Sequence, residues 1–419
     1  MIRRVFFLMA LSMPVSNVPV QAENWPEFRG PTGQGHSTAK GLPLRWSTTD
    51  NVRWKVDIQG KGWSSPIVVR GRIYLTTAVS RKTGNGNVQL LRALCLDAAS
   101  GITRWDVEVF VQDGEAAERI HRENSHASPT PISDGKHLFV HFGTHGTACL
   151  TLDGEIVWKT RELKYNPRHG NGGSPVLVDD VLVVSCDGAD VQFVVALDCK
   201  TGQIRWKKDR PQTEQSRTKF AFSTPLVIRV NGKKQIISTG AYLVVAYDPS
   251  DGREIWLVRH NGYSVVPRPV FGHGLVYIST SFTRASLLAI RSDGHGDVTD
   301  THVAWRISRA APHTPSMLLV GKELYFVSDR GGVASCVDAV TGKVHWSKRI
   351  GGSYWASPLF ADGKIYFQSK LGDTIVIKPG TEFVELARNG LNAVTFASYA
   401  VADSALFIRT DRHLYRIQN

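Results

Sequence analysis

The chain has 419 residues, with 50 Lys and Arg against 37 Asp and Glu and a formal charge of +13. Its one strongly apolar run, at the amino end, is shorter than the roughly 20 residues a spanning helix needs, which leaves no candidate for a transmembrane segment. The basic balance favours anionic partners such as acidic polysaccharides, phosphates or lipid head groups; a basic but merely solvated surface is the plainer reading.

In chain order, "MIRR", the apolar "VFFLMALSM" and the small-residue site Val20-Gln21-Ala22 have the form of a secretory signal peptide. Residues 1–22 are therefore set apart, with the mature chain expected to begin at Glu23 and to be periplasmic or secreted. No Cys lies at the cleavage site, so no lipid anchor is expected, and export makes nucleic acid the least expected partner. Losing Arg3 and Arg4 leaves +11. Residues 23–50, with "WPEFRGP", are expected to be a strap in which Trp25 and Phe28 cover apolar surface. "NVRWKVDI" at 51–58 is a Trp-bearing strand with no repeat of its own.

From there the chain repeats itself. "CLDAASGITRW", "ALDCKTGQIRW", "AYDPSDGREIW" and "CVDAVTGKVHW" each place Asp eight residues and Gly four residues before a Trp. In phase with them runs a Ser/Thr-Pro pair followed by an apolar run, a turn and a second strand, anchored at Pro66, Pro129, Pro175, Pro225, Pro269, Pro315 and Pro358. A degenerate eighth copy has Tyr399 in the proline's place. The anchors lie 41 to 63 residues apart, the period of four-stranded propeller blades. Each copy parses as four short strands separated by Gly, Asp and Asn turns. In the corner between the third and fourth strands, Asp bonds the turn backbone and Gly supplies the positive φ. The following Trp offers a flat wedge for the next blade, its indole N–H requiring a partner. Trp54, Trp105, Trp158, Trp206, Trp256, Trp305 and Trp346 are the repeat tryptophans. The last copy stops without a fourth strand, and residues 51–58 supply one. The expected fold is thus an all-β, eight-bladed propeller over 51–419, closed by its first strand and forming one domain, a monomer.

Five cysteines are an odd number for an exported chain. Cys95 and Cys336 read as small buried hydrophobes, whereas Cys186 and Cys199 are near enough in sequence to raise the question of a bridge.

The Asp-x-x-Thr-Gly-x-x-x-Trp repeat resembles the tryptophan-docking motif of quinoprotein, or PQQ-like, propellers across nearly the whole mature chain. "NWPEFRGPTGQGHS", "NSHASPTPISDG", "HGNGGSPV" and "VPRPVFGHGLVYIS" are similar to a narrower family of exported bacterial PQQ-like repeat proteins. This resemblance implies the propeller fold. It also raises PQQ and Ca²⁺ as cofactors and a dehydrogenase as an activity. The dehydrogenases so resembled carry adjacent cysteines and a calcium-ligating Glu/Asn/Asp set; neither is matched residue by residue.

A four-strand meander puts the loops between blades (D to A) and the B-to-C loops on one face, and the short A-to-B and C-to-D turns on the other. The first set holds the long, variable segments, the usual place for binding groups on a rigid scaffold. Glu123, Asn124, His126, His145, His169 and Asn171 are expected to meet there on blades 2 and 3, either as a ligand or metal site or as a polar rim bonded to loop backbone. Trp63, Phe222, His313, Tyr354 and Trp355 form an expected arc of rings suited to a sugar or planar ligand, or to plugging the channel. Arg268 stands where other blades carry Ser or Thr. With Arg284, Arg330 and Arg412 it suggests an anion-attracting funnel, the alternative for Arg268 being a structural pair with Asp329. Asp293, Asp297 and Asp300 in "SDGHGDVTD" have oxygen ligands for Ca²⁺, although an elongated hairpin on the opposite face reads better.

The expected function is a non-catalytic binding or scaffold protein of the cell envelope, taking a protein or anionic glycan on the decorated face. In shape it resembles the propeller lipoproteins that assist outer-membrane protein assembly. A PQQ-dependent dehydrogenase is the alternative, and a metal-assisted hydrolase or lyase built on the histidines is weaker, with no Gly-x-Ser-x-Gly elbow or zinc signature behind it.

Overall fold

The computed structural model describes residues 23–84, 86–118, 120–214 and 218–419. The expected signal peptide, residues 1–22, lies outside the described residues. Among the described residues the strands gather into eight sheets, seven of four antiparallel strands and one that adds a fifth, parallel strand. In blade 3 the order from the channel outward is Val176–Val178, Val181–Asp187, Gln192–Asp198 and Ile204–Asp209, strands A to D, and the other blades repeat it. Strands B and C are covered on both faces by neighbouring blades, so they are continuously apolar rather than alternating. Fourth strands alternate, as in Val52–Asp57. That strand pairs antiparallel with His413–Ile417, and the ring closes as the sequence predicts.

The repeated corner has a single physical explanation. Asp198 accepts hydrogen bonds from the Lys200 and Thr201 N–H groups, and Gly202 adopts a φ of 73°. A Cβ on Gly202 would lie 2.5 Å from the Trp158 ring of the preceding blade. The Trp158 indole N–H donates to the Cys199 carbonyl of the same corner at 2.9 Å. Trp54, Trp105, Trp206, Trp305 and Trp346 likewise donate to carbonyls of the next blade, at 2.9 to 3.2 Å. Trp256 is different. The long corner of the next blade, "SDGHGDVTD", lays Gly296–Asp297 along Trp256 and Leu257 as a fifth, parallel strand of blade 4, and the indole turns to Gln235 instead. Asp297 is consumed by Thr299 and Arg259, and Asp293 faces His302. The segment is therefore an edge cover, more than the elongated hairpin the sequence suggests.

The Ser/Thr of the anchor closes a circle of hydrogen bonds around the channel. The Ser65 N–H donates to the Thr130 hydroxyl, Thr130 to Ser174, Ser174 to Thr224, Arg268 to Ser316, Ser316 to Ser357, Ser357 to Ser398, and Ser398 back to Ser65. At the one interrupted junction, Arg268 Nε donates to the Pro225 carbonyl. This circle corrects the anchor register in two blades. The equivalents of Pro66 are Pro131 and Met317, because strands A begin at Ile132 and Leu318; Pro129 and Pro315 each lie two residues too early.

Residues 23–50 cross the channel on the short-turn face. Trp25 pairs with Val68 of blade 1, the Gln34 side chain accepts from the Phe271 N–H of blade 5, and His36 bridges to Phe360 of blade 7. Trp25 is fully buried, as expected of a strap. The "SRKTGNGN" segment, one of the long connections between the second and third strands of a blade, is not a loop. Arg72–Thr83 and Gly86–Asp97 run on as one long hairpin beyond the other blades' strands. All five cysteines are free. Cys186 pairs with Phe193 while Asp198 pairs with Val181, so Cys199 lies at the far end of the strand pair, roughly 20 Å from Cys186. A bridge needs Cα atoms within about 7 Å.

Candidate binding face

The D-to-A and B-to-C loops surround a funnel of about 1280 Å³ that is floored by Phe28 of the strap. Its inner wall follows from the anchor register. The residue two positions before each circle residue lines it: Trp63, Ser128, Gly172, Phe222, Val266, Thr314, Trp355 and Phe396, one from every blade. Large rings occupy blades 7, 8 and 1, where Trp355 stacks on Phe396 at 5.1 Å and Phe396 meets Trp63 at 4.6 Å. Lys370 lies over the Trp355 and Phe396 rings at 4.8 and 5.2 Å. Phe222 faces them from blade 4 and joins a second aromatic run through His169, Phe220 and Tyr263 to Phe282. Where the wall residues are small, longer side chains reach in from the rim: His121 and Arg122 on blade 2, Arg284 on blade 5, and Arg309 and Arg330 on blade 6.

Asp329 also lines the funnel, accepting from the His313 N–H with one oxygen while the other has no protein partner. Burial pushes its carboxyl above the usual value, against the Thr314 hydroxyl and His313 N–H that favour the charged form.

A second cavity of about 560 Å³ opens beside the funnel between blades 2 and 3. It holds His121, His126, His145, His169 and Asn171. Burial, then the Lys61 charge, holds His126 down to about 4; burial, then His126 and nearby cations, holds His145 to about 4. His169 is lowered by burial and by His121, whose ring lies 4.9 Å away. His126 and His145 are therefore neutral at pH 7. Among the described residues, however, no three His, Cys, Asp or Glu side chains converge to hold a metal ion.

The blade 2–3 constellation thus divides. Glu123, Asn124 and His169 line the funnel, His126, His145 and Asn171 the second cavity, with His169 belonging to both. Asn124 and Asn171 are latches. Asn124 donates to the His169 and Asn171 carbonyls, and Asn171 donates to the Phe142 carbonyl while accepting from Tyr165. Gly143 has no space for a Cβ against the Asn171 amide.

Three expected positions fall elsewhere. Tyr354 is fully buried in the core between blades 6 and 7, because adjacent residues point to opposite sides and Trp355 takes the funnel side. Arg412 lies on the same face but lines neither cavity. Arg268 is buried beneath the floor rather than presented to the channel, and its carboxylate is Glu27 at 2.8 Å, not Asp329. It also donates to the Phe28 carbonyl, and Gly33 owes its missing side chain to the Arg268 guanidinium. The funnel keeps Arg284 and Arg330 from the expected set. It adds Phe28, His121, Arg122, Arg309, Phe282 and Phe396, of which Phe396 was readable from "FASY" aligning with "WASP".

A quinone cofactor held through Ca²⁺ does not fit this donor set. The funnel's two acids, Glu123 and Asp329, stand on blades 2 and 6, and no two cysteines are adjacent. Known proteins share the scaffold. Residues 89–296 and 296–378, more than two thirds of the chain, match the family PQQ_2, described as outer membrane protein assembly factor BamB. The chain belongs to this family. A curated relative, the outer membrane protein assembly factor BamB of Moranella endobia, is 24% identical over 295 residues, 69% of this chain and 68% of the relative. The BamB structure from Moraxella catarrhalis superposes with a TM-score of 0.62 at 11% identity, covering 88% of this chain and 97% of that one. A europium-containing methanol dehydrogenase gives 0.66 at 12% identity over 92% and 89%. At such identities the structural matches establish a shared propeller and nothing about activity.

Proposed function

We propose that the protein is an exported, non-catalytic propeller of the cell envelope that acts as a monomeric scaffold in outer-membrane protein assembly, engaging a protein partner through its loop face. The observation that carries this reading is the rim of the loop face around the funnel, which exposes large apolar side chains. The funnel inside it is wide and ringed by flat side chains and cations, and among the described residues it has no convergent acid, base and metal set. The family's description as an assembly factor supports the partner class. Two large apolar side chains on this face, Phe282 at 52% and Leu371 at 61% exposure, suit a protein contact.

The test has two arms. The purified protein is mixed with a urea-unfolded outer-membrane β-barrel protein on dilution, and light scattering is expected to show delayed aggregation at near-stoichiometric amounts. It is also titrated with PQQ and Ca²⁺ in a melting and dye-reduction assay, where neither a cofactor-dependent shift nor turnover is expected. Turnover would replace the scaffold reading with the dehydrogenase one.

A further inference from the structure

We infer that the funnel within the loop face is a binding site for an acidic glycan, a short chain of carboxylated pyranose rings. The inference rests on the loop face being the binding face and names the ligand that its centre accepts.

Size is the first argument. At about 1280 Å³ the funnel exceeds the roughly 300–1,000 Å³ typical of small-ligand pockets, so an oligomer fits it better than a single ring. Charge is the second. Four arginines line it against two acids, and one of those acids, Asp329, is buried. Arg284, Arg309 and Arg330, from adjacent loops of blades 5 and 6, have exposed side chains and no carboxylate partner among the described residues. Planar guanidinium groups left unpaired in a cavity are matched to carboxylates.

Recognition of rings is the third argument. Trp355, Phe396 and Trp63 make a contiguous aromatic wall over blades 7, 8 and 1, the surface on which the C–H face of a pyranose packs. Beside it are an unsatisfied donor and acceptor, each on a funnel-lining side chain at least nine-tenths buried: the Trp63 indole N–H and the free Asp329 oxygen. Sugar hydroxyls, which donate and accept at once, satisfy both.

Peptide is disfavoured by the same circle that closes the ring. At seven of the eight junctions the N–H at the top of strand A is taken by the neighbouring blade's hydroxyl, and the strap pairs with strands A of blades 1 and 7 lower down. An extended chain therefore finds few free backbone groups of blades 1 and 7 to pair with.

The test is a titration with tetragalacturonate, followed by calorimetry and Trp fluorescence, beside its methyl ester and poly-glutamate. Saturable quenching is expected with the free acid and weakening with added salt. Affinity should fall at least about tenfold with the methyl ester, with Arg309→Ala/Arg330→Ala and with Trp355→Ala. The arginine pair carries the test alone if Trp355→Ala misfolds, since neither arginine has a carboxylate partner among the described residues to lose. Absence of saturable binding at millimolar tetragalacturonate, or binding indifferent to the funnel variants, would overturn the inference. Equal displacement by poly-glutamate would overturn it in favour of an acidic peptide. Loss of glycan binding with aggregation still delayed would remove this inference and leave the scaffold reading standing; PQQ-dependent turnover would remove the latter.

Discussion

The two faces of the propeller are built by opposite rules. On the short-turn face the same Asp, Gly and Trp recur because every blade must turn the same corner and wedge the same neighbour. On the loop face nothing recurs except the hydroxyl circle and the position two residues ahead of it, which carries Trp, Phe, Val, Ser, Thr or Gly according to the blade. Repetition marks what the ring needs to close, and variation at a repeated position marks what is free to meet a ligand. The two sets of side chains should then separate in experiment, one moving stability and the other binding.

The largest effect is expected at the floor. Arg268→Ala leaves the partly buried Glu27 without its guanidinium and frees the strap, for a loss of about 3–5 kcal/mol by urea unfolding at pH 7. Trp206→Ala removes a nearly buried wedge and should cost about 3–5 kcal/mol, while leaving any loop-face binding unchanged. Gly202→Ala sets a Cβ against Trp158 at a positive φ, for about 1–3 kcal/mol in the same assay.

The histidines give a pH test. His126 and His145 are held down to about 4 in the folded protein, so the unfolded chain binds protons that the folded one refuses. Their contribution is complete above the ordinary value of about 6.5 and is lost as pH falls toward 4, by about 1 kcal/mol each after allowing for partial exposure. His126→Gln/His145→Gln should flatten the fall in the urea midpoint between pH 7 and pH 4.5. Smallest of all, Arg309→Ala should change stability by less than about 0.5 kcal/mol, since the exposed guanidinium has no partner among the described residues. A large loss there would blur the division between faces.

The ring, its closure and the wedge were legible because each rests on a pattern stated several times in one chain. What was not legible depends on partners distant in sequence. Ser128-Pro129 and Thr130-Pro131 satisfy the anchor pattern equally; only the Ser65 N–H of the neighbouring blade chooses Thr130. Arg268 is an exception to the pattern whose meaning lies in Glu27, far back in the strap. "SDGHGDVTD" looks like a corner until its edge meets Trp256. Tyr354 and Trp355 are equally aromatic neighbours, and alternation along an extended segment sends one to the core and the other to the funnel.

The most direct measurement compares matched apolar side chains on the two faces in the aggregation assay. Phe282→Ser/Leu371→Ser alters the loop face, and Ile102→Ser/Val340→Ser alters corners on the turn face, where the side chains are 67% and 51% exposed. The protein should lose most of its ability to delay aggregation in the first case and none in the second. Loss confined to the turn-face pair would place the working surface on the wrong side of the ring and contradict the account.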